Sequence, residues 1–144
     1  MNVYFAGSLF TLAERQFNVA LADRMMGHDA ALSVYLPQTC DGDLLELPDF
    51  AQRIYERMME AIERCDAVVA MLDGVSTDAG TCIELGYARA LGKKIVGVRT
   101  DFRGVGAEGL CPMTAGVCDH LVCQSSASAT LDGLAVEIVA ALNK

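Results

Sequence analysis

The chain has 144 residues, 53% of them hydrophobic and 21% charged, which suits one globular domain with a buried core and excludes a disordered segment. Its formal net charge of -8 argues against nucleic acid polymers and anionic membranes as partners and leaves neutral nucleosides and nucleobases open. No apolar run reaches the roughly 18 residues of a membrane span, and the first run is strand-like with no signal peptide, so a cytoplasmic protein is expected.

Residues 2–6 (NVYFA) read as a buried strand. The turn "GSLFT" follows, and Thr11 with Glu14 has capping-box spacing for a helix to about Met26, with Leu12, Phe17, Ala20, Leu21 and Met25 on its apolar side. "MGHDA" breaks that helix, and residues 32–36 (LSVYL) form a second strand ended by Pro37. Residues 37–48 read as a polar loop with Gly42 and Pro48, a natural place to shape a pocket. Asp49 is placed to cap a helix to about Arg64, whose apolar positions include Ile54, Met58, Ala61 and Ile62. Residues 67–72 (AVVAML) form a third strand, "DGVSTDAG" a loop, and residues 79–91 a helix stopped by Gly92. Residues 94–98 (KIVGV) are a fourth strand. The stretch "RTDFRGVGAEGLCPM" is glycine-rich and expected to be exposed, and a short strand at 120–123 (HLVC) and a helix from Leu131 to Leu142 complete the chain.

Short strands, apolar on both faces and alternating with helices, predict an α/β fold. It is a three-layer, flavodoxin-like parallel sheet of about five strands with helices on both faces. No internal repeat or linker divides residues 1–144. In such a sheet ligands bind beyond the carboxyl ends of the strands. Three segments there are small or polar: "YFAGSLF" with Gly7 at its turn, "DGVSTDAGT" with Asp73 at the end of the third strand, and "RTDFRG". No dinucleotide fingerprint or Walker loop is present. The six cysteines form no CxxC pair and the two histidines, His28 and His120, lie far apart, so neither a zinc site nor a cofactor is expected and the thiols read as reduced and mostly buried.

The stretch "STDAGTCIELGYARALGKK" stands out. Glu84 is either a surface glutamate or a carboxylate with a task. Its neighbours Cys82, Ile83, Leu85, Tyr87 and Ala88 offer little polarity, and an unpaired carboxylate in such company is costly. Tyr4, expected at the end of the first strand, can supply a hydroxyl. Asp78 is placed to cap the helix.

"VYFAGSLF", together with "CDAVVAMLDGVSTDAGTCIELGYARALGKKIVGVRTDFR", resembles the nucleoside 2-deoxyribosyltransferases. The resemblance covers the first strand and turn and then Tyr55 to Arg103, with a weaker echo at "CPMTAGVCDHLV". It implies that Glu84 is a nucleophile attacking C1' of a 2'-deoxyribonucleoside, held by Tyr4, and that a covalent deoxyribosyl-enzyme then passes the sugar to a second base. It implies that Asp78 accepts a hydrogen bond from the sugar 5'-hydroxyl. Related 2'-deoxynucleoside 5'-monophosphate N-hydrolases carry a serine there, and a carboxylate would repel phosphate. Met58 falls where the family carries a base-contacting aspartate, with Glu60 and Asp73 as possible substitutes. Cys111 and Met113 fall where the family closes the pocket from a neighbouring subunit, implying a homo-oligomer, at least a dimer, with a shared active site. The implied partners are 2'-deoxynucleosides and free nucleobases, with no cofactor. Hydrolysis of the same bond, and a non-catalytic nucleoside-binding module, are the alternatives; retention of Glu84 with Tyr4 and Asp78 speaks against the latter.

Overall fold

Five strands pair into one parallel sheet in the order β2-β1-β3-β4-β5, in a computed structural model that describes residues 1–40 (Cys40 as backbone only), 42, 44, 46–103 and 109–144. They are β1 (Asn2–Ala6), β2 (Ser33–Tyr35), β3 (Ala67–Met71), β4 (Lys94–Arg99) and β5 (His120–Cys123). This is the flavodoxin-like order the alternating pattern predicts, and it places the point of strand reversal between β1 and β3. Register sets Tyr4 beside Tyr35 on one side and Val68 on the other.

Side chains alternate across the sheet, so each strand feeds two cores. Val3, Phe5, Val69, Val96 and Val98 meet Leu21 and Met25 of α1 (Leu12–His28) and Leu134 and Ile138 of α6 (Leu131–Leu142). Tyr4, Ala6, Val68, Ala70, Leu72 and Ile95 meet Met58 and Ile62 of α3 (Phe50–Arg64) and Leu85 and Ala88 of α4 (Ala79–Ala90). Both faces are therefore covered, which is why the strands read as continuous apolar runs. No helix among the described residues is long and apolar enough to cross a membrane.

The caps follow local chemistry. Thr11 Oγ1 accepts from Glu14 N at 3.2 Å while Glu14 Oε2 accepts from Thr11 N at 2.8 Å, the reciprocal box read from the sequence. The apolar side of α1 is shifted from the expected one: Leu21, Ala22 and Met25 are buried with Asn18, whereas Leu12 is 72% exposed. Asp49 precedes α3 but makes no cap bond; its backbone lies outside the extended region that aims an N-cap side chain at the helix, and both its oxygens accept from Arg53 Nε at 2.9 Å.

Two short helices replace stretches read as loop: α2 (Pro37–Cys40) and α5 (Pro112–Val117). Each begins with proline, whose fixed φ suits a first helical turn. Within the expected 37–48 loop, residues 41, 43 and 45 lie outside the described set, as do 104–108 of the glycine-rich stretch after β4.

Candidate active site

Tyr4 stands at the middle of β1 and not at its end, on the face covered by α3 and α4, and is fully buried. Its ring stacks on Tyr35 of β2, with centroids 5.6 Å apart and planes inclined by 15°. The stack and the sheet register fix where the hydroxyl points. That hydroxyl donates to Glu84 Oε1 at 2.6 Å and stands 3.2 Å from Met58 Sδ. A phenol has one proton, and the carboxylate is the better acceptor, so the thioether borders the bond.

Glu84 lies in the first half of α4, whose start is set by Asp78. Asp78 Oδ2 accepts from Thr81 N at 3.0 Å and from Thr81 Oγ1 at 3.4 Å. Its Oδ1 has no hydrogen-bond partner among the described residues, and the residue is half-buried. Burial pushes the Glu84 carboxyl up to about 7; the Tyr4 hydroxyl opposes this, and the negative charge of Asp78 adds to it. At neutral pH the group is therefore divided between its two forms, and either nucleophilic attack or proton transfer is within its reach.

The other residues singled out in the sequence are placed differently. Met58 is buried on α3 against the Tyr4 hydroxyl, and so joins the site as an apolar wall. Gly7 ends β1 where a Cβ would stand 3.0 Å from Met71 Cβ, so its smallness lets the ends of β1 and β3 approach. Asp73 lies across the sheet from Glu84, in a cleft lined by Ser8, Phe17, Asn18, Met71 and Thr100. Both its oxygens are engaged: Oδ1 accepts from Thr100 N at 2.6 Å and Asp101 N at 2.9 Å, and Oδ2 from Thr100 Oγ1 at 2.5 Å. Glu60 is on the solvent side of α3, 3.1 Å from Arg64 Nη2.

Cys111 and Met113 are exposed and share a groove with Cys82, Leu85, Gly86 and Val117; neither Tyr4, Asp78 nor Glu84 lines it. Within one chain they do not join the tyrosine–glutamate pair. Among the described residues no group of three His, Cys, Asp or Glu side chains is arranged to hold a metal. Sequence reasoning missed Tyr35, whose ring backs Tyr4, and the partnership of Asp73 with Thr100 and Asp101. The signal for the second was present: two loops leaving adjacent strands each carry an aspartate.

A flavodoxin-like α/β sheet with a tyrosine-bound glutamate at its ligand edge defines the class. The chain belongs to the nucleoside 2-deoxyribosyltransferase family, whose sequence model matches residues 3–141. No curated protein matches it. Among solved structures it is similar to a conserved protein from Enterococcus faecalis V583, at 28% identity over 96% of both chains with a TM-score of 0.79. It shares its fold with a 2-deoxyribosyltransferase from Bacillus psychrosaccharolyticus, at 20% identity over 74% of this chain and 77% of that one, TM-score 0.62. The 2-desoxiribosyltransferase of Leishmania mexicana is similar at 24% identity over 78% and 83% of the two chains, TM-score 0.61.

Proposed function

We propose that the protein transfers the 2-deoxyribosyl group between nucleobases. The observation that carries this reading is the 2.6 Å hydrogen bond from Tyr4 to a half-buried Glu84. In its ionised form Glu84 attacks C1' of a 2'-deoxynucleoside. The C1'–N bond breaks as the C1'–O bond to Glu84 forms, and the base leaves with the bonding pair and takes up a proton. A second base then attacks C1' from the face the first one left, releasing Glu84 and giving net retention. Tyr4 holds the carboxylate in line, and its donated proton steadies the anion that forms again at the end of the cycle.

Asp78 supplies the second contact. Its Oδ1 accepts the 5'-hydroxyl, which anchors the sugar while C1' meets Glu84. A carboxylate at that place favours free nucleosides over their monophosphates, because two negative groups repel in a site of low dielectric. Met58 gives the leaving base an apolar neighbour and no proton, so the departing base draws its proton from water, to which the incoming base gives up its N–H proton as the new C1'–N bond forms. Met113 and Cys111 close the pocket of a neighbouring subunit, and the working unit is a homo-oligomer, at least a dimer.

Incubation of thymidine with adenine tests the reading. Deoxyadenosine and thymine are expected together, and Glu84→Ala is expected to abolish their formation while the far-ultraviolet circular dichroism spectrum stays unchanged. Release of thymine without deoxyadenosine would assign the chain to hydrolysis instead, and near-normal exchange by Glu84→Ala would remove Glu84 from the chemistry.

A further inference from the structure

We infer that Asp101 is a positioning residue for the 5'-hydroxyl contact, acting through the loop that carries Asp78; the inference rests on the transferase reading above. The loop from Asp73 to Asp78 has little apolar anchorage: Val75 is 85% exposed, and Ser76 is exposed beside it. What holds the loop is a reciprocal exchange with the neighbouring loop after β4. Asp73 accepts from Thr100 N, Thr100 Oγ1 and Asp101 N. Asp101 returns the contact, its Oδ2 accepting from Gly74 N at 3.2 Å. Each loop thus supplies the carboxylate that satisfies the other's backbone.

Asp101 is itself fixed. Its side chain is 7% exposed, and Arg103 donates to it from N and Nε at 2.9 Å and from Nη2 at 2.5 Å. Hydrogen bonds from the Arg103 side chain and backbone hold its carboxyl well below the usual carboxylate range. Two residues before Asp101, the buried Arg99 donates to Leu72 O at 2.9 Å and to Arg103 O at 3.0 Å, tying the end of β3 to the same turn.

Gly74 converts this into a fixed direction. Its φ is +117°, a conformation side chains rarely adopt, and a Cβ there would stand 3.1 Å from Ser76 O. The loop therefore leaves Asp101 along one path and arrives at Asp78, whose Oδ2 is held by Thr81 and whose Oδ1 is free of partners among the described residues. With both ends of the loop anchored, Oδ1 is aimed before substrate arrives. Without Asp101, the Thr81 end persists and the Gly74 end is released, so binding must order the loop each time. The role of Asp73 follows: it is the return half of this exchange and reaches Asp78 through the backbone.

The test compares two sugar donors, thymidine and 5'-deoxythymidine, each with adenine as acceptor. For Asp101→Ala the KM for thymidine is expected to rise about tenfold with kcat changed less than about threefold, while the KM for 5'-deoxythymidine stays within about twofold. Thr100→Val, which removes one hydrogen bond to Asp73 from the opposite loop, is expected to show the same dependence in weaker form and keeps the test open if Asp101→Ala does not fold. Equal losses on both donors, or no loss on thymidine, would overturn the positioning role. If the unsubstituted protein exchanges neither donor, the transferase reading fails and takes the inference with it.

Discussion

At the scale of one residue, Glu84 trades stability for chemistry. A carboxyl that ordinarily titrates near 4.5 is pushed up to about 7 in the folded chain, chiefly by burial. Below the ordinary value it is protonated in both states and costs nothing. As pH rises from there to about 7, the unfolded chain ionises while the folded one keeps its proton. The folded state then binds more protons, and stability falls with rising pH until the folded group has also ionised. The difference amounts to roughly 3 kcal/mol above pH 7. Glu84→Gln retains an oxygen for the Tyr4 hydroxyl and cannot ionise. It is expected to match the parent protein near pH 4 and to exceed it progressively, up to that amount, above pH 7 in urea unfolding. Parallel stability profiles across that range would mean that Glu84 is not held in the buried, Tyr4-bound state.

At the scale of elements, long periodic segments were legible and short ones were not. The five strands and the helices α1, α3, α4 and α6 announce themselves by apolar runs and by caps such as Thr11 and Asp78. Helices α2 and α5 are too short to display a period, and their proline starts read equally well as breaks. Tyr4 and Glu84 could be paired from the sequence because α4 covers the face of β1 from which Tyr4 projects, and Asp78 because it starts that helix. The side to which Asp73 turns is a matter of parity: it follows Leu72, which faces α3 and α4, and so turns to the α1 side. The start of α5 also sets thiol reactivity. Cys111 is exposed, and the backbone N–H groups of Met113 and Thr114 lower its pKa, whereas burial pushes Cys65 up and Cys118 up to about 11. Limiting iodoacetamide at pH 7.5 is therefore expected to modify Cys111 well ahead of Cys65 and Cys118, read by peptide mass spectrometry. Preferential labelling of Cys118 would contradict this ordering.

At the scale of the molecule, several large apolar side chains are exposed toward the carboxyl edge of the sheet. Phe10, Val75, Ile83, Phe102 and Met113 are all exposed there, on loops that leave strands or on the first turns of helices. Met113 is 81% exposed, and its groove on α4 adjoins the helix that carries Glu84. The shared site proposed above requires a second copy of the chain to cover this surface and bring Met113 to the partner's pocket. Sedimentation velocity is therefore expected to give at least twice the 15.4 kDa chain mass. Met113→Glu is expected to shift the protein toward monomer and to remove base exchange without unfolding it. Mixing that variant with Glu84→Ala separates a shared site from a merely adjacent one. In a mixed dimer one pocket receives Glu84 from the first chain and Met113 from the second, and the other receives neither. At protein concentrations that restore pairing, the mixture returns up to about a quarter of the parent activity from two inactive proteins. A mixture that stays inactive although sedimentation shows mixed dimers would mean that each chain completes its own pocket.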